Sequence, residues 1–147
     1  MSKLDDCFGK GLLRKSARQP DLAGKDLRLA DFYLNEAADL LEMGKKVMAS
    51  LALYNAFFHC ARALLFHDGL KERSHYCIAR YIEEVYVGKK RLDIRFLNAF
   101  ETIMSIRNNA QYSTEEITIE EDLEELYNIC EAFIEQARKI IQEKVVP

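Results

Sequence analysis

Turn-forming residues are scarce in this chain: six Gly and two Pro in 147 residues, with no Trp. So few punctuators argue against a sandwich or barrel built of many short strands. Collagen-like and low-complexity classes are excluded with them. No C-x-x-C pair occurs among the four cysteines, Cys7, Cys60, Cys77 and Cys130, which are scattered among apolar neighbours. They read as reduced, buried thiols of a cytoplasmic protein, not as a disulfide frame or a zinc site. The start, MSKLDDCFGKG, has no apolar segment of the kind a signal peptide carries. The longest apolar stretch, Val47 to Phe66, is broken by Asn55, His59 and Arg62. That makes a poor membrane span, and no membrane partner is expected. G-x-G-x-x-G, P-loop and H-E-x-x-H signatures are all missing.

What is present suits one globular domain. Hydrophobic residues make up 49% and charged residues 31% of the chain. A chain of this size buries roughly 68–70% of its unfolded surface, enough for a core without metal or disulfide support. The net charge of −3 hides a split. Met1 to Tyr112 carries 18 basic against 14 acidic residues, and Ser113 to Pro147 carries 3 against 10. The body is therefore mildly basic, which permits nucleic-acid contact without demanding it. The acidic C-terminal segment reads first as a solvated helix face.

Apolar spacing predicts helices throughout. Residues 1–20 form an N-terminal arm, loosely held or with a short helix around Gly11 to Ser16, and residues 21–147 form a single helical domain. Leu27, Leu29, Ala30, Tyr33, Leu34, Ala37, Leu40 and Leu41 recur at three- and four-residue steps, giving a helix closed by Gly44-Lys45-Lys46. A second helix, Val47 to Asp68, is apolar on most sides and belongs at the centre, with Gly69 as its C-terminal glycine. Ser74 caps a third helix to Val87, and a fourth spans Asp93 to Gln111. After a turn, Thr118 and Glu121 form a capping box opening a fifth helix to about Lys144. No strand pattern survives the helical one. The fold class is all-α, an antiparallel up-and-down bundle of four or five helices.

On the central helix, Asn55, His59 and Arg62 stand at i, i+4 and i+7 and share one face. Buried His and Arg need partners. The stripe is either satisfied by carboxylates or carbonyls of a neighbouring helix, or it lines a cleft or a second subunit. Arg107, Asn108, Gln111 and Tyr112 crowd the end of the fourth helix, a pattern that is also ordinary for a solvated helix end. Metal signals are weak: Glu72-x-x-His75 occurs once, and His59 and His67 stand roughly 12 Å apart along a helix. No metal or cofactor is expected.

Taken in order, L-Y-N-A-F-F-H-C-A-R-A-L-L, D-G, R-S-H and, about thirty residues on, R-N-N-A-Q-Y form a pattern. It resembles the small stand-alone HEPN proteins (higher eukaryote and prokaryote nucleotide-binding). Those carry a Y-x-x-F-H-x-x-R-A-L helix, a K-x-H connector and an R-x-x-A-D-Y helix end. The resemblance covers Leu29 to Phe133. It implies an antiparallel helical bundle, a homodimer, and a minimal nucleotidyltransferase as partner in a prokaryotic toxin–antitoxin pair, with RNA or nucleotide as ligand.

HEPN ribonucleases use an R-x4–6-H motif, without metal, in which His takes the 2′-hydroxyl proton and Arg steadies the phosphorane. His titrates near neutrality and Arg grips phosphate in two places, so the chemistry is sound. Arg107 and Asn108 match the start of that motif, but Tyr112 stands where His belongs. A phenol of pKa about 10 is ionised in about one molecule in a thousand at pH 7, a poor general base. Thr114 occupies the place where some toxins of the class carry a tyrosine that the partner adenylylates. The resemblance therefore implies catalytic positions Arg107, Tyr112 and His59 and binding positions Asn108, Asn55 and Arg62, in a binding module with little or no catalysis. The alternative is a metal-independent RNA endonuclease whose base is His59 or His75. Exposed aromatics around Tyr81, Tyr86 and Phe96 are expected at the dimer contact. His59 and Arg107 are expected to share a polar cluster with Tyr54 or Tyr112.

Overall fold

The computed structural model describes residues 2–143. Six helices dominate: α1 (Lys3–Gly9), α2 (Pro20–Glu42), α3 (Lys46–Asp68), α4 (His75–Tyr81), α5 (Ile94–Tyr112) and α6 (Leu123–Gln142). Two three-residue strands, β1 (Leu13–Lys15) and β2 (Leu70–Glu72), pair antiparallel with Arg14 opposite Lys71. The all-α reading holds for the bundle, and this small sheet is an addition to it. Three residues are too few to show a period of two, which is why no strand was legible.

α3 is the axis of the molecule. It is apolar nearly all round, and it packs against α2, α5 and α6. Its length and composition suit a membrane span, yet 72% of its most apolar window is buried inside the protein. Phe57 sits between Phe100 of α5 and Phe133 of α6, with ring centroids 6.1 Å away in each case. Phe96 stacks on Phe133 at 5.3 Å. Burying each such side chain contributes about 1.5–3 kcal/mol. Arg138 of α6 donates to Asp31 of α2 at 2.6 Å and ties the outer helices together.

The ends follow local chemistry. Gly69 closes α3 in the left-handed region, φ 80°, and a Cβ there would lie 2.7 Å from the Ser16 carbonyl oxygen. Ser74 accepts from the Cys77 N–H and starts α4, as its side chain predicts. Beyond Tyr81 the same helix continues as a π-helical segment, Ile82–Val87, so the expected third helix is real but changes its winding midway. Asp93 caps α5. For α6 the cap is Asp122, which accepts from the Glu125 N–H, and not the Thr118–Glu121 box. A carboxylate one residue before the helix serves its N-terminal N–H groups better than a threonine four residues earlier in an extended segment. The end expected near Lys144 lies outside the described residues.

Two expectations are corrected. Cys7 and Cys77 are not free thiols: their sulfurs form a disulfide joining α1 to α4 across 70 residues of sequence. Nothing in their spacing announced it. Cys60 and Cys130 are the buried free thiols. The N-terminal arm is correspondingly held, with Leu4, Cys7 and Leu13 in the core. The Ser16 N–H donates to the Gly69 carbonyl at 2.8 Å, and the Arg73 N–H to that of Leu12 at 2.8 Å. Tyr81, Tyr86 and Phe96 are likewise buried, not exposed. The hydroxyls of Tyr81 and Tyr86 both donate to Asp68 Oδ2, which turns their polar ends inward.

Candidate functional site

The polar stripe of α3 finds its partner on α2. Asp26 is 2% exposed and lies in the apolar stripe Ala23, Leu27, Ala30, where a carboxylate is out of place unless it is paired. Arg62 grips it with a fork, Nε to Oδ2 at 2.9 Å and Nη2 to Oδ1 at 2.8 Å. His59 donates from Nδ1 to Oδ1 at 2.9 Å, and the Tyr33 ring stacks on the imidazole at 5.4 Å. Burial alone would raise the Asp26 carboxyl, but the bonds from His59 and Arg62 outweigh it and hold the pKa below 3.8. Asn55 lies half-buried on the same helix and makes none of these bonds.

A second cluster sits one and a half turns earlier on α3. The Tyr54 phenol hydrogen-bonds His75 Nδ1, at the start of α4. The Arg107 guanidinium lies 5.1 Å over the Tyr54 ring and donates to Asn108 Oδ1 at 3.2 Å. Burial pushes the Tyr54 phenol up to about 12 and lowers His75, so both are uncharged at neutral pH. Arg62, Arg80 and Arg138 are each matched to a carboxylate. Arg107 has no carboxylate partner among the described residues.

Phe58 divides the two clusters. Its ring is 4.5 Å from that of His75 and edge-on to His59 at 5.2 Å, while Arg62 lies 5.1 Å above it. Glu72 approaches Arg62 at 3.9 Å. Arg107 thus meets Tyr54 as expected, whereas His59 is occupied on the far side of Phe58. Tyr112, at the end of α5, is 72% exposed. Glu72 and His75 acquire no third ligand: no group of three metal-binding side chains occurs among the described residues. The sequence reading missed Asp26 as the partner, although its place within an apolar stripe was a usable signal.

These features define a helical bundle in which α3, α4 and α5 bring Tyr54, His75 and Arg107 into one cluster near the exposed end of α5. Residues 25–140 match the HEPN domain, and the chain belongs to that family. A comparison with curated proteins found no match.

Proposed function

We propose that this HEPN protein holds RNA or a nucleotide by its phosphate at the Arg107 end of α5, with little or no cleavage of its own. In the same proposal it is the helical component of a prokaryotic toxin–antitoxin-type pair and binds a minimal nucleotidyltransferase. One observation carries the reading: Arg107 is oriented by Tyr54 and Asn108 but has no carboxylate partner. A guanidinium that is positioned and unneutralised is suited to a phosphate. His75 supports it as a neutral neighbour. Tyr112, at the position of the motif histidine, stands exposed at the end of α5 with no side-chain partner among the described residues to activate it.

A second reading, a metal-independent endonuclease with His75 as base, draws on the nearness of His75 to Arg107's stacking partner. A homodimer with α5 near the two-fold axis is retained as a proposal, although the aromatics first offered for it are buried. Light scattering reporting a monomer at micromolar concentration removes it. A cytoplasmic setting also belongs to the proposal, and there the Cys7–Cys77 bond would face a reducing thiol pool.

The deciding experiment measures binding and cleavage of single-stranded RNA by the purified protein with EDTA present. Salt-sensitive binding that is lost in Arg107→Ala, without cleavage, is the expected result. Robust EDTA-resistant cleavage that disappears in His75→Gln would install the second reading. Binding unaffected by Arg107→Ala would overturn the phosphate site.

A further inference from the structure

A cavity of about 250 Å³ lies between α4 and α5, lined by Tyr76, Arg80, Glu101, Ser105, Asn108 and Asn109 among others. Its charge is already settled. Arg80, 7% exposed, spends its guanidinium on Glu101 at 2.8 Å and Glu83 at 3.3 Å. An anion placed there would meet the Glu101 carboxylate instead of a free cation, so a phosphate is the wrong occupant. The remaining chemistry is neutral: two carboxamides, a hydroxyl and a half-exposed aromatic ring. Tyr76 is 51% exposed, and the Arg80 guanidinium lies 5.2 Å from its ring centroid. That contact backs one face of the ring. The volume falls below the roughly 300–1,000 Å³ of sites that enclose a drug-sized ligand. It suits one planar ring system.

The cavity is also coupled to the phosphate position. Asn108 lines it, and the same Asn108 accepts the hydrogen bond from Arg107 Nη1. A group held here is therefore one residue from a group held by Arg107. We propose that this cavity receives an unpaired nucleobase of single-stranded RNA whose phosphate lies on Arg107. The inference rests on the phosphate reading above and names the ligand of that site more closely. Tyr76 provides the stacking face, as aromatic side chains do for splayed bases. The Asn108 and Asn109 amides, Ser105 and the Glu101 carboxylate form the polar wall. Within that wall Asn108 Oδ1 is taken by Arg107 and Glu101 Oε1 by Arg80, which leaves Glu101 Oε2 as the charged acceptor facing a ligand and the amide N–H groups as donors. An exocyclic amine satisfies such a wall. Adenine, cytosine and guanine carry one, and uracil does not.

The test is fluorescence anisotropy with labelled oligoadenylate, oligocytidylate and oligouridylate of equal length, using the intact protein with EDTA. Oligoadenylate and oligocytidylate are expected to bind about tenfold tighter than oligouridylate, the worth of one well-made polar pairing. Tyr76→Ala should weaken binding about tenfold or more, and Tyr76→Phe should retain it, because only the ring is needed. Asn109→Ala, at an exposed helix position, should level the preference among bases while circular dichroism melting stays unchanged. Arg107→Ala should weaken all three oligomers alike. Equal affinity for all three, with Tyr76→Ala silent and Arg107→Ala deleterious, overturns the base site and leaves the phosphate reading intact. Base preference that survives while Arg107→Ala is silent overturns the phosphate reading and leaves the base site. If Tyr76→Ala instead impairs only nucleotidyltransferase binding, the cavity is a protein contact and the inference fails.

Discussion

The Tyr54 phenol and His75 Nδ1, 21 residues apart in sequence, are hydrogen-bonded to each other. Burial raises the phenol to about 12 and lowers the imidazole, so at neutral pH the phenol keeps its proton and the ring is neutral. A protonated phenol donates to the bare nitrogen, which places the imidazole proton on Nε2. That tautomer follows from the bonding pattern. His75 then presents an N–H donor to an incoming oxygen. In that state Nε2 carries the proton and Nδ1 is occupied, the arrangement the phosphate reading requires.

Tyr54→Phe removes the donor and frees Nδ1. Nitrogen-15 NMR of the imidazole is expected to move from the Nε2–H form toward a mixture of tautomers. The loss should cost about 1 kcal/mol of stability and weaken RNA binding through His75. An unchanged tautomer would show that another group sets it.

Activity should respond to the motif position. Tyr112→His restores the R-x4-H pattern beside Arg107, and general-base catalysis typically contributes about 10²–10⁴-fold. Cleavage of single-stranded RNA is expected to rise in that variant and to vanish again when Arg107→Ala is added. No gain would show that Arg107 is not placed to hold a scissile phosphate.

Stability should fall in mild acid. Burial lowers the pKa of both His67 and His75 below 6.5 in the folded protein. The unfolded chain therefore binds more protons once the pH falls below about 6.5, and the folded state loses ground down through the depressed values. A second loss begins near pH 3.8, where the unfolded chain protonates Asp26 while His59 and Arg62 still hold the folded carboxylate ionised, and it continues down through the depressed folded value. Melting temperatures between pH 8 and pH 3 should show both steps. His75→Gln should shrink the first step to the share of His67 and leave the second unchanged.

Reduction should soften the molecule without dissolving it. A bond closing 70 residues contributes about 2–4 kcal/mol, mainly by constraining the unfolded chain. Dithiothreitol, or the Cys7→Ser/Cys77→Ser double variant, is expected to lower the melting temperature by about 5–15 °C. Identical melting in oxidised and reduced samples would show that the two sulfurs are not bonded in solution.

Long periodic segments were legible because repetition reveals a buried face. Most of the α2 stripe, the all-round apolar α3 and the cap Ser74 were readable from the sequence, while Leu29, counted in that stripe, is exposed. The sheet was not, since Leu13–Lys15 gains its partner from residues 70–72 and has no period of its own. Nor was the Cys7–Cys77 bond, which depends on how α1 meets α4. Tyr81 and Tyr86 misled for a related reason: the acceptor that lets their hydroxyls turn inward, the half-buried Asp68, lies on a different helix. At the site, Arg107 and Tyr54 were anticipated together. Asp26 was overlooked because a lone carboxylate in an apolar stripe looks like noise until its cations are found.

His75 opens α4 two residues before Cys77, and three residues after the strand that pairs with Leu13–Lys15. Both tethers lead back to the first fifteen residues. That leading segment acts as a splint for the connector carrying His75, so trimming it would loosen the His75 side of the Arg107–Tyr54 cluster from behind while leaving the four long helices assembled.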